Sequence, residues 1–156
     1  MNKHPALSSP PTARSGRGRQ PAYVLDEQIG FILRQAYQKN SLLFVGYFGD
    51  DLTPTQWAAI ARLGEVGGCS QNLLGRLTAM DAATIKGVVD RLRVRNLVTI
   101  ELNPKDRRRS MVAATKAGER FARQATMLAR RITKETLAPL RPVEQRQIVR
   151  LLQKMI

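Results

Sequence analysis

The sequence predicts a mainly α chain with one small β-hairpin, and three observations carry that expectation. Apolar residues recur at helical spacing through most of the 156 residues, one short β-branched run is broken by a turn, and helix-start signals precede the periodic segments. Residues 1–22 stand apart. They hold Pro5, Pro10, Pro11, Pro21, Gly16 and Gly18, four basic groups and no acid, a composition too poor in apolar surface to offset chain entropy. This segment is expected to be a disordered basic tail, either a solvated leader or an arm that touches phosphates.

From Val24, residues Leu25, Ile29, Ile32, Ala36, Leu43 and Tyr47 fall on one helical stripe that ends by Gly49. Thr53 then reads as an N-cap, with Pro54 at the first helical position and Gln56 placed to close a capping box. This second helix turns Trp57, Ile60 and Leu63 inward until Gly67 and Gly68 stop it. A short helix after Ser70 buries Leu73, Leu74 and Leu77. A turn at Thr78, Ala79 and Met80 leads to Asp81, the cap of a fourth helix running to about Arg95 with Ile85, Val88, Val89 and Leu92 inside. Its outer face is left with Ala82, Ala83, Thr84, Lys86, Gly87, Asp90, Arg91 and Arg93. Two short helices joined by a tight turn, the second exposing small, polar and basic groups, match a helix-turn-helix.

Leu97 to Leu102 reads as a strand, Asn103 to Asp106 as a turn, and Ser110 to Ala114 as the returning strand. Thr115 caps a long helix carrying Phe121, Ala125, Leu128 and Ile132 on one stripe, ended by Pro139. The last helix starts near Pro142 and buries Ile148, Leu151, Leu152 and Met155. The order describes a winged helix-turn-helix (residues 52–114) framed by N- and C-terminal dimerisation helices (23–48 and 116–156), all in one domain, 23–156. The terminal helices are too apolar for water, so they are expected to pack on each other and on a second copy related by a two-fold axis, presenting two reading helices about one duplex turn apart.

Composition narrows the chemistry. The 26 Lys and Arg against 12 Asp and Glu give a formal charge of +14, which calls for a polyanionic partner. The only cysteine, Cys69, excludes an intramolecular disulfide and suits a reducing cytoplasm. The longest nearly unbroken apolar run, Leu42 to Phe48, is far below the ~20 residues of a membrane span, and no signal-peptide core is present. The only histidine, His4, lies in the tail, so a histidine-based triad, a zinc site or a Cys-His pair lacks its residues. No enzyme, metal or cofactor is expected.

Between Lys86 and Arg123 stand 11 basic groups and four acids, a net +7 that is half the charge of the chain in under a quarter of its length. Such concentration is a nucleic-acid footprint. At the hairpin, Asp106-Arg107-Arg108-Arg109 offers planar guanidiniums suited to a narrow minor groove, with Asp106 placed to fix a neighbouring arginine by a charge-assisted bond. A solvated charged turn is the plainer alternative.

The stretch from Met80 to Phe121 resembles the helix, strand, wing, strand, helix core of the multiple antibiotic resistance regulator (MarR) family. The family's Asp-x-Arg wing followed by Thr-x-x-Gly is matched by Asp106 to Arg108 and by Thr115 to Gly118, and Val89 to Leu92 fits its Val-Asp-Arg-Leu stretch. The aspartate often opening the wing is Asn103 here. With the flanking helices the resemblance covers about residues 23–156. It implies a dimeric cytoplasmic transcription regulator, usually a repressor, that leaves a palindromic operator in double-stranded DNA when a small molecule binds. It places Arg108 in the minor groove beside Arg107 with Asp106 orienting it, Thr84, Lys86, Gly87 and Arg91 along the major groove, and Ser70 and Gln71 near phosphate. Gly87 would let the backbone approach closely, and Asp90 would pair with Arg91 or Arg93.

Effectors of the family generally bind between the dimer helices and the winged module, which makes Phe31, Arg34, Tyr37, Trp57 and Phe121 the candidate lining, Arg34 for a carboxylate; each such residue is more often a plain core or dimer contact. The run from Tyr47 to Ile60 is similar to members that control breakdown of aromatic acids, so the expected effector is an aromatic carboxylate or its thioester. One branch of the family senses peroxides through a cysteine near the start of its first helix. Cys69 does not match that position and reads as a small buried thiol. Two other classes remain: a basic architectural DNA-binding protein with little sequence preference, and an adaptor for an anionic membrane or an acidic protein.

Overall fold

The computed structural model describes residues 22–103 and 106–156, with the side chains of 103–109 left aside. The expected disordered tail therefore lies outside the described residues, except for the exposed Ala22. A short 3-10 turn, Leu25–Glu27, leads into α1 (Ile29–Phe48), followed by α2 (Pro54–Val66), α3 (Gln71–Leu77), α4 (Ala82–Val94), β1 (Val98–Asn103), β2 (Asp106–Ala114), α5 (Lys116–Leu137) and α6 (Pro142–Gln153).

Local chemistry sets most helix starts. The Thr53 hydroxyl accepts from the Gln56 amide at 3.2 Å while the Gln56 side chain accepts from the Thr53 amide at 3.1 Å, the reciprocal capping box. The Ser70 hydroxyl accepts from the Leu73 amide at 3.3 Å, and the Asp81 carboxylate from the Thr84 amide at 2.7 Å. Caps of this kind contribute about 1 kcal/mol each. The Thr84 amide holds the Asp81 carboxyl below the usual carboxylate range, so this cap persists as pH falls through the normal range and is lost only at more acid pH. Gly49 and Gly67, both at positive φ, end α1 and α2.

Two clusters of buried side chains result. The upper one joins Ile60 and Leu63 of α2, Leu74 of α3, the four inner residues Ile85, Val88, Val89 and Leu92 of α4, and Val98 and Val112 of the hairpin. The lower one joins Phe44 and Phe48 of α1, Leu52, and Ala125 and Ile132 of α5. Trp57 and Phe121 pack against both. The hairpin is antiparallel, Val98 facing Ala114 and Leu102 facing Ser110, with an irregularity before the Asn103 and Asp106 pair. A third rung comes from the α2–α3 connection: Cys69 N–H donates to the Val112 carbonyl at 3.0 Å and Val112 N–H to the Cys69 carbonyl at 2.8 Å. The Cys69 thiol is buried, and burial pushes its pKa up.

Several expectations are corrected. The first helix begins at Ile29 rather than Val24, because Gln28 is extended and its side-chain amide bonds back to the Val24 carbonyl. Its buried face is Phe44 and Phe48; of the expected stripe, Leu25, Ile29 and Ile32 are exposed in the single chain. Leu77 is exposed, and Gly75 takes the inner position, its absent side chain letting the Met80 carbonyl approach to 3.0 Å from where a Cβ would stand. The second strand begins at Asp106 rather than Ser110. Ile148 and Leu151 of α6 and Met155 just past its end are exposed rather than buried, because this segment lies outside both core clusters.

Candidate nucleic-acid interface

The helix-turn-helix closes through main-chain bonds. Met80 N–H reaches the Gly75 carbonyl at 2.9 Å, and Ala79 takes φ 53 to make the turn. With Ile85, Val88, Val89 and Leu92 inside, α4 presents Ala82, Ala83, Thr84, Lys86, Arg91 and Arg93 as exposed residues and Gly87 and Asp90 as half-buried ones. Ser70 and Gln71, half-buried, open α3.

Charge on this face is organised. Lys86 Nζ lies 2.9 Å from Asp90 Oδ2, and that hydrogen bond holds the Asp90 carboxyl below its usual range, with Arg93 adding to the same direction. The expected partner of Asp90, Arg91 or Arg93, is thus corrected to Lys86, one helical turn before it, where an i, i+4 pair meets. A Cβ on Gly87 would meet only the Arg91 guanidinium, at 3.6 Å. The glycine therefore leaves a notch over which Arg91 folds back.

The C-terminal end of α4 is a Schellman turn. Asn96 takes φ 58, Asn96 N–H reaches the Arg93 carbonyl at 2.8 Å, and Leu97 N–H reaches the Leu92 carbonyl at 2.9 Å. The Thr-x-x-Gly motif locks onto this turn. Thr115 Oγ1 donates to the Asn96 carbonyl at 2.7 Å and accepts from Gly118 N–H at 3.0 Å, and Thr115 N–H donates to the Leu97 carbonyl at 3.0 Å. At Gly118 a Cβ would stand 1.9 Å from the Leu97 carbonyl oxygen. Arg95, absent from the sequence-based site, donates from Nη1 to the Asp51 carbonyl, and its guanidinium carbon lies over the Phe121 ring, 5.3 Å from the ring centre. A main-chain acceptor 44 residues away leaves no signal in the sequence.

The wing residues Asp106, Arg107 and Arg108 have their backbone in β2, with side chains outside the described set. The effector candidates are not brought together as one group. Phe31 is half-buried and Arg34 and Tyr37 are exposed on the N-terminal half of α1, whereas Trp57 and Phe121 each pack against both clusters. Trp57 also lines a cleft of about 640 Å³ between α2, β2 and α5, together with Ala113, Thr126, Glu65, Glu119 and Arg123. Neither Arg123 nor the two glutamates were singled out as effector lining from sequence, where Arg123 and Glu119 counted only toward the basic stretch from Lys86 to Arg123. Among the described residues, no cluster of three or more potential metal ligands occurs and no helix is long and apolar enough to cross a membrane.

The sequence model of the MarR family matches residues 50–109. The HTH-type transcriptional repressor NicR of Pseudomonas putida is 37% identical over 135 residues, covering 86% of this chain and 85% of that protein. A probable transcriptional regulator from Pseudomonas aeruginosa superposes with a TM-score of 0.82 at 53% identity, over 85% of this chain and all of that one. BpsR of Bordetella bronchiseptica, whose DNA binding is regulated by 6-hydroxynicotinic acid, gives 0.82 at 36% identity over 86% of this chain and 96% of its own.

Proposed function

The chain belongs to the MarR family of transcriptional regulators, and from that premise we propose that it is a homodimeric repressor released from a palindromic operator by an aromatic carboxylate or its thioester. The observation that carries the DNA-reading part is α4: an inner face locked in the upper cluster and an outer face of small, polar and basic residues. Thr84, Lys86, Gly87 and Arg91 read the major groove, Ser70 and Gln71 meet phosphate, and Arg107 and Arg108 of the wing enter the minor groove with Asp106 orienting Arg108. The Lys86–Asp90 pair opens on the operator, freeing the ammonium for phosphate or a base edge. The repressor sign follows NicR.

If each subunit neutralises about four phosphates, the dimer has a log-log salt slope near −7. Arg108→Ala is expected to weaken operator binding by about 1–3 kcal/mol and to lower that slope by about one unit per site. Gel-shift titrations at several salt concentrations measure both, and an unchanged affinity would sink the wing assignment. A preference of less than ~10³ for any palindrome over bulk DNA would instead favour an architectural protein.

For the effector, BpsR supports an aromatic acid, and the cleft between α2, β2 and α5 offers Trp57 as an aromatic wall, Arg123 for the carboxylate, and Glu65 and Glu119 as acceptors for ring donors. Phe31, Arg34 and Tyr37 join from α1 of the second copy. 6-Hydroxynicotinate held at about 100 times its dissociation constant is expected to stabilise the protein by roughly 2.7 kcal/mol, read as a thermal shift that Arg123→Ala reduces. No shift with millimolar hydroxylated aromatic acids would refute this part.

A further inference from the structure

We propose that Arg95 is a positioning residue: it ties the C-terminal end of α4 to the α1–α2 junction and to α5, and so sets the angle at which the reading helix meets a duplex. The proposal rests on α4 being that helix. A single side chain reaches both anchors. Its Nη1 donates to the Asp51 carbonyl, and its guanidinium carbon lies over the Phe121 ring, 5.3 Å from the ring centre.

Both anchors are themselves fixed. Asp51 N–H donates to the Phe48 carbonyl at 3.1 Å, and Phe48 and Leu52, on either side of it, are buried in the lower cluster. Phe121 packs against both clusters. The packing of α4 itself is chiefly on α2, α3 and β1, the elements of the upper cluster. Arg95 therefore carries a direct link from α4 to α1 and α5, which hold the lower one. Its backbone is equally constrained, standing at the C-cap immediately before the left-handed Asn96.

A phosphate contact would be the ordinary use of an exposed arginine next to DNA. Here one N–H is taken by the Asp51 carbonyl while the guanidinium lies over the Phe121 ring, and lysine, which keeps the charge, lacks the planar fork that makes both contacts at once. Arg95→Lys thus separates geometry from charge.

The test uses the full chain and an operator selected by the wild-type protein from a random duplex pool. Affinities for that operator and for an unrelated duplex of equal length are measured at several salt concentrations. Arg95→Lys is expected to keep the salt slope of the wild type while its operator-to-unrelated ratio falls about tenfold, the scale of one poorly seated base contact. Phe121→Leu, which removes the ring beneath the guanidinium and keeps Arg95, is expected to show the same signature and carries the test if the lysine variant fails to fold. An unchanged ratio in the folded variants overturns the proposal. So does an equal loss on both duplexes with a shallower slope in Arg95→Ala, which would make Arg95 a phosphate contact. A wild-type protein that selects no duplex at all would overturn the DNA-reading assignment of α4 as well, a result distinct from either of these.

Discussion

Gly118→Ala is expected to lower the melting temperature by about 10 °C or more, with loss of DNA binding at temperatures where the wild type is intact. The added methyl would stand 1.9 Å from the Leu97 carbonyl oxygen and 3.3 Å from Ile60 Cδ1, and the first of these is backbone, which no rotamer change relieves. Retreat is blocked on both sides. Leu97 is held by its amide to the Leu92 carbonyl and by its carbonyl from Thr115 N–H, while Gly118 N–H is held by the Thr115 hydroxyl. Overpacking a rigid site costs about 1–3 kcal/mol and more where backbone must move; at this chain length each kcal/mol corresponds to about 2–4 °C. Circular dichroism melts of Gly118→Ala beside Gly64→Ala, a glycine with open space around its Cβ position, provide the control. Equal melting temperatures for the two variants would show that the α5 start is free to shift.

Ile32→Glu combined with Ile148→Glu is expected to convert the protein to a folded monomer and to reduce operator affinity at least ~100-fold. In the single chain, Leu25, Ile29 and Ile32 near the start of α1 and Ile148, Leu151 and Met155 of α6 and its exit are exposed, far more apolar surface than scattered exposure explains. If a second copy placed by a two-fold axis covers both regions, each isoleucine buried there contributes about 1.5–3 kcal/mol, counted twice by symmetry. A monomer keeps its reading helix but loses the second half-site, and bivalency is worth about 10² to 10⁴ in apparent affinity. Light scattering gives the mass and gel shifts give the affinity. A dimer that survives both charges would place the interface elsewhere.

What the sequence made legible was local. Thr53, Asp81 and Thr115 announce helix starts because a side-chain oxygen three residues before an amide is a chain-local event, and the four inner positions of α4 follow from a single clear stripe. In α1 the same rule fails, since apolar residues occupy more than one side. Periodicity finds a face but cannot say which of two faces meets α5 and which awaits a partner. β2 reaches back to Asp106 through a run of arginines that no strand preference would select. The outer residues of α4 were readable as types, whereas their arrangement was not: the Asp90 pairing, the seat of Arg91 over Gly87 and the reach of Arg95 to Asp51 depend on rotamers and on main-chain acceptors. The cleft beside Trp57 was equally hidden, being assembled from α2, β2 and α5 by tertiary packing alone.

Cys69 and Ser70 are adjacent, yet the first is hydrogen-bonded into the hairpin and the second begins α3. One peptide bond thus gears the wing base to the helix pair. If α4 and the wing contact a duplex as proposed, this joint holds the two contacts at one spacing, and one base pair inserted between them is expected to weaken binding. Because the Cys69 rung uses only main-chain atoms, the gearing is indifferent to the thiol itself, and serine or alanine at that position leaves the spacing unchanged.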